Sequence, residues 1–134
     1  MSTTPQYAST PRFDSDLISA ANTNRDGTGT IVTIFTAGSS GSRIDRITIK
    51  ATGTTTAGMV RFFIHDGTTY HLFREISISA ITASGTVATF SAAMSSNNAQ
   101  DIGYLPLTLP TGHSLRASTH NAESFNVLVY GGDL

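Results

Sequence analysis

From Leu17 to the end of the chain, apolar residues recur at every second position in short runs, separated by clusters of Gly, Asn, Asp, Ser and Thr. This period puts alternate side chains on opposite faces of an extended strand, so the pattern predicts strands throughout and no helix. In RIDRITIKA, Ile44, Ile47, Ile49 and Ala51 share an apolar face while Arg46, Thr48 and Lys50 face water. The extra residue between Ile44 and Ile47 predicts a bulge near Asp45. TIVTIFTA is apolar on both faces, which predicts a central strand.

GMVRFFIHDGTTYHLFREISISA predicts a hairpin. Val60, Phe62 and Ile64 alternate before its turn, and Tyr70, Leu72, Ile76 and Ile78 after it. Keeping all of these on one face pairs Ile64 with Tyr70 and Phe62 with Leu72, which requires an odd number of loop residues around Asp66 and Gly67. Arg74 then falls on the apolar face, where it needs a carboxylate or an edge position. Further strands are expected in GTVATFSAAM, on both sides of Pro110, Thr111 and Gly112, and in SFNVLVYGG with Phe125, Val127 and Val129 inward.

Seven or eight short strands without a helical period predict an all-β protein: an antiparallel two-sheet sandwich of jelly-roll type, with an immunoglobulin-like sandwich as the alternative. Residues 17–134 are expected to form this single domain. Residues 1–16, with two prolines and no sustained period, are expected to form an extended N-terminal arm anchored through Tyr7 and Phe13.

Composition narrows the function. The chain has 134 residues, 13% of them charged, and a formal net charge of −1, so it lacks the electrostatic footprint of a protein that binds nucleic acid or acidic membranes. Cysteine is absent, which excludes disulfides, thiolate nucleophiles and cysteine-ligated zinc. Threonine and serine stand in for the missing charge and suit an exposed sheet face. The N-terminus has no charged start followed by an apolar run, and no apolar run approaches membrane-spanning length, so synthesis in the cytoplasm is expected.

Candidate chemistry is sparse. NTNRDGTGT, Asn22 to Thr30, has the oxygen spacing of a calcium loop, but its ligand positions are Asn22, Asn24, Asp26, Gly27 and Thr33, with a single carboxylate. A turn is the simpler reading. AGSSGS lacks the spacing of a nucleophile elbow, and DGTGT lacks the third glycine and the following helix of a dinucleotide site. His65, His71, His113 and His120 have no evident inward carboxylate partner, so neither a cupin-like metal site nor a catalytic base is expected. Asp14 and Asp16 read as solvated. Tyr104 and Tyr130 are the aromatic residues open to a shallow carbohydrate site, because Tyr70 reads as core. No enzyme activity, metal or cofactor is expected.

NTNRDGTGTIVTIFTAG, TGTTTAGMVRFFIHDG, FREISISAIT and LPLTLPTGHSLRASTHNAESFNVLVYGGDL together resemble small virion proteins of tailed bacteriophages. Within that family the nearest likeness is to a jelly-roll capsid cement, or decoration, protein. The resemblance implies a structural protein on the outer capsid surface of the virion, assembled in the bacterial host cytoplasm. Its partners would be itself, as a dimer or trimer, and the major capsid protein, whose subunits it would bridge. Many copies on one particle turn modest contacts into lasting ones. The contact candidates are Tyr7, Arg12 and Phe13 of the arm and Asn24, Arg25, Asp26 and Gly27 of the loop. A tail or baseplate adhesin binding host surface glycan is the alternative.

Overall fold

The structure is a computed structural model that describes residues 8–95 and 105–134. Among the described residues there are nine strands: β1 (Thr10–Ile18), β2 (Val32–Thr36), β3 (Ser42–Ala51), β4 (Gly58–His65), β5 (Tyr70–Ile78), β6 (Ser91–Ser95), β7 (Leu107–Leu109), β8 (Ser114–Thr119) and β9 (Phe125–Asp133). No helix occurs among the described residues. The strands form two antiparallel sheets, one ordered β1-β9-β3-β6 with β7 also on β3, the other ordered β2-β8-β4-β5.

The pairing is nested. β4 pairs with β5, β3 with β6 and β7, β2 with β8, and β1 with β9. The chain is therefore a doubled-back ribbon with its midpoint at the β4–β5 turn. Lateral pairing of β3 with β9 and of β4 with β8 joins the turns of the ribbon into sheets. Between the sheets lies one core, including Ile44, Ile47 and Ile49 of β3, Val60 and Phe62 of β4, and Phe125, Val127 and Val129 of β9. Each such side chain taken out of water contributes roughly 1.5–3 kcal/mol before its loss of conformational freedom.

The period-two signal placed the inward residues of β3 and β9 correctly, and the expected bulge interrupts the β3–β9 register between Ile44 and Arg46. The hairpin requires a correction. His65 pairs with Tyr70 and Ile64 with His71, leaving the four loop residues 66–69, an even number. Parity is restored by a bulge in β5: Phe62 pairs with Arg74 and Phe63 with Leu72, leaving Phe73 as the extra residue. Phe73 packs against the core, whereas Leu72 is 41% exposed. Arg74 lies on the edge strand β5, an edge position that its place opposite Phe62 requires.

The doubly apolar run TIVTIFTA is also corrected. Its strand, β2, is the edge of the second sheet rather than a centre. A bulge between Thr33 and Phe35 puts both Ile34 and Phe35 into the core, so the run reflects a bulge and not burial on two faces. The expected arm differs as well, because Thr10 to Asp16 belong to β1, paired along its length with β9. Pro11 is accommodated on an edge strand, where a missing N–H does not interrupt a ladder on both sides. Tyr7 and Tyr104 lie outside the described residues, as does the segment 96–104 in which part of a strand was expected.

Candidate functional site

The NTNRDGTGT segment links the two sheets by crossing the outer face of the second. Its start is fixed by the Asn22 N–H, which donates to the Thr119 carbonyl of β8 at 2.8 Å. The buried Asn22 side chain closes the loop: its Nδ2 donates to the carbonyls of Thr28 (2.9 Å) and Thr30 (3.0 Å), and its Oδ1 accepts from the Asn24 N–H (3.0 Å). Asp26 Oδ1 accepts from the Thr28 N–H and hydroxyl, which hold its carboxyl below the usual range. Asn24 Nδ2 donates to the Thr28 hydroxyl. Asn22 Oδ1 and Asp26 Oδ1 are thus both turned onto the loop's own backbone amides.

Two glycines let the loop lie flat. Gly27 and Gly29 have φ of +89° and +83°, and a Cβ would fall 2.6 Å from Tyr70 Cβ at the first and 2.7 Å from Asn22 Nδ2 at the second. Beneath the loop the sheet carries a second, partly polar layer. Arg61 of β4, only 2% exposed, donates from Nε to Glu75 Oε2 on β5 at 2.9 Å, and Arg25 of the loop reaches the same oxygen at 2.7 Å. Arg61 Nη1 also lies 3.3 Å from His120 Nδ1. The Arg25 hydrogen bond, helped by that from Arg61, lowers the Glu75 pKa against the opposing effect of burial. Phe63 is fully buried here, edge-on to Tyr70, whose hydroxyl accepts from Arg116 Nη1 at 2.8 Å. Tyr70, expected in the core, instead belongs to this outer layer.

Arg12, a contact candidate, is committed inside the molecule. Its Nη1 donates to the Thr36 carbonyl of β2 (2.6 Å) and to Asp133 Oδ1 of β9 (3.0 Å), its Nη2 pairs with Asp14, and its guanidinium lies 3.9 Å from the centre of the Phe35 ring. Asp14, expected to be solvated, is therefore ion-paired. Phe13 points the other way, 57% exposed on the outer face of the first sheet, with its ring centre 5.0 Å from that of Tyr130.

The outer face of the first sheet is the second surface available for contact. Register places Phe13, Tyr130 and Arg46 side by side across β1, β9 and β3, and Leu17, Asn126 and Lys50 in a parallel row. Leu17 is 45% exposed, and Leu128, opposite Ser15, is half-buried between the rows. Leu17, Leu128, Arg46 and Lys50 were not among the sequence-derived contact candidates. The alternation of RIDRITIKA pointed to the outward side of β3, but which strands flank β3 is not encoded locally.

The histidines engage separate partners, His113 Nδ1 lying 3.5 Å from the Thr111 carbonyl. His71 Nε2 is 2.9 Å from Asp66 Oδ2, and this bond and the Thr69 and Thr68 amides push the Asp66 pKa well down. His65 packs on Tyr70, while His120 contacts Arg61. No group of three or more His, Asp or Glu side chains positioned for a metal occurs among the described residues. No protein-family model matches the chain, and a search of characterised proteins finds no match.

Proposed function

We propose that the protein is a structural component of a bacteriophage virion, a capsid cement protein that self-associates and bridges major capsid subunits. The observation that carries this reading is the exposed apolar strip on the outer face of the first sheet, formed by Phe13 with Tyr130 and by Leu17 with Leu128. Single exposed apolar residues are ordinary, but an aligned strip on a rigid sheet is a contact surface. The nested ribbon, with sheet orders β1-β9-β3-β6 and β2-β8-β4-β5, fits the jelly roll that the sequence resemblance implies. The loop residues Asn24, Arg25 and Asp26, exposed on the other face, offer a second and polar surface.

In this mechanism each oligomer straddles neighbouring shell subunits, so rupture of the shell requires breaking its contacts as well. Purified protein is mixed with undecorated capsids, the particles are sedimented, and bound copies are counted against major capsid subunits. Saturation at a fixed integer ratio is the expected result, and absence of co-sedimentation refutes the reading. The tilted Phe13–Tyr130 pair also suits the adhesin alternative, since aromatic faces carry sugar rings. Glycan-array binding lost on Phe13→Ser would favour that alternative.

A further inference from the structure

The outer face of the first sheet separates charge on a nearly neutral molecule. Arg46 and Lys50 project from β3 on either side of Thr48, and the face-forming positions of β1 and β9 contribute Phe13, Leu17, Leu128 and Tyr130 but no carboxylate. The Arg46 guanidinium lies 5.6 Å from the centre of the Tyr130 ring, so the cation and the aromatic pair form one continuous surface. Lys50 Nζ gives a hydrogen bond to the Thr89 carbonyl at 3.0 Å. Neither cation has an ion-pair partner among the described residues. At the end of the face Arg43 is paired with Asp45 at 3.0 Å and adds no net charge.

We propose that this face docks on a protein surface bearing carboxylates around an apolar patch, and that it is not the surface through which copies of this chain pair. The inference rests on the cement reading, in which that partner is the capsid shell. Charge decides between the two occupants. A two-fold contact sets a surface against itself, so pairing of copies through this face would oppose two patches that each carry Arg46 and Lys50 and no carboxylate from β1 or β9. Like charges desolvated together oppose association, whereas a partner carboxylate beside each cation favours it and fixes register. The apolar strip then supplies the contact area and the cations supply selectivity.

The test compares wild type with Phe13→Ser/Leu17→Ser and Arg46→Glu/Lys50→Glu for binding to empty shells of the major capsid subunit, across a salt series. Val87→Ser, at a similarly exposed site on the β5–β6 connection, serves as the control. The substituted side chains are exposed or face outward, and circular dichroism and thermal melts establish that each variant is folded. The expected result is at least a tenfold loss of shell affinity for both double variants, wild-type affinity for the control, and wild-type binding that weakens with salt. If wild type binds and the double variants bind equally well, the inference is overturned while the cement reading stands. If wild type does not bind, the cement reading falls and takes the inference with it. A change in the oligomeric state of either double variant free in solution also overturns the inference, because the face would then join copies.

Discussion

Arg12 and Asp133, separated by 121 positions, share a hydrogen bond of 3.0 Å that ties the first strand to the last. Ser42 donates to the same Asp133 oxygen at 2.6 Å, and Arg12 continues to the Thr36 carbonyl at the edge of the opposite sheet. One guanidinium thus joins β1, β2 and β9. Arg12→Ala is expected to lower stability by about 1.5–3 kcal/mol, as for loss of hydrogen bonds to a charged group. Arg12→Lys should recover little of this, because an ammonium cannot reproduce the planar fork. Urea denaturation of the three proteins provides the measurement, and a full recovery in the lysine variant would contradict the geometry.

The loop over the second sheet depends on two positive φ angles and one asparagine. Gly29→Ala is expected to cost about 1 kcal/mol or more, since it combines an unfavourable φ with overlap on Asn22. Asn22→Ala removes the side chain that holds Asn24, Thr28 and Thr30 together and should cost about 1–3 kcal/mol. Both variants should speed hydrogen exchange or limited proteolysis within residues 22–30 before the rest of the domain responds. Unchanged exchange in this segment would show that Asn22 does not close the loop.

Glu75 serves two arginines that differ in environment. The side chain of Arg25 is 56% exposed and that of Arg61 is 2% exposed. Arg25→Ala should therefore cost under about 1 kcal/mol, as exposed pairs do. Glu75→Ala leaves Arg61 buried without its carboxylate and should cost about 2–3 kcal/mol. Equal effects in thermal or urea melts would refute the assignment of Arg61 as the dependent partner.

Acid should weaken the fold. Asp133 is lowered by the Ser42 hydroxyl and Arg12, Glu75 chiefly by Arg25, Asp26 by Thr28, and Asp66 chiefly by His71. Each carboxyl has a folded pKa below its unfolded value, so its contribution is present above the ordinary carboxylate range of about 4 and is lost as pH falls through the folded values. Asp45, raised by burial, acts in the opposite sense and offsets part of this loss. The urea midpoint is expected to fall below about pH 4, and Asp133→Asn should flatten that acid limb. A limb of the same steepness in the variant would remove Asp133 from the explanation.

Legibility followed the range of the interaction. The inward residues of β3 and β9 and the bulge near Asp45 were readable because strand alternation is a local property of the backbone. The β4–β5 parity was misread because Phe73 and Leu72 are both apolar, and only pairing with β4 determines which of them is the extra residue. Similarly, Ile34 and Phe35 give the same pattern in a central strand as in a bulged edge strand. Residue type identified Phe13 and the loop as candidates but could not distinguish Arg12, drawn inward by Asp133 and Thr36, from Phe13, turned outward beside Tyr130.

By itself, the sequence determined that the chain is an all-β sandwich with apolar alternation facing one core, and that Asn22 to Thr30 is a turn-rich loop. These properties depend on side-chain period and on the φ preferences of Gly, Asn and Asp, which act over a few residues. Tertiary structure alone decided the nested strand order, the edge position of β1 and β2, the burial of Arg61 and Phe63 beneath the loop, and the meeting of Phe13, Tyr130 and Arg46 on one face. Those outcomes require strands distant in sequence to compete for the same partners, and the closure of the whole ribbon settles that competition.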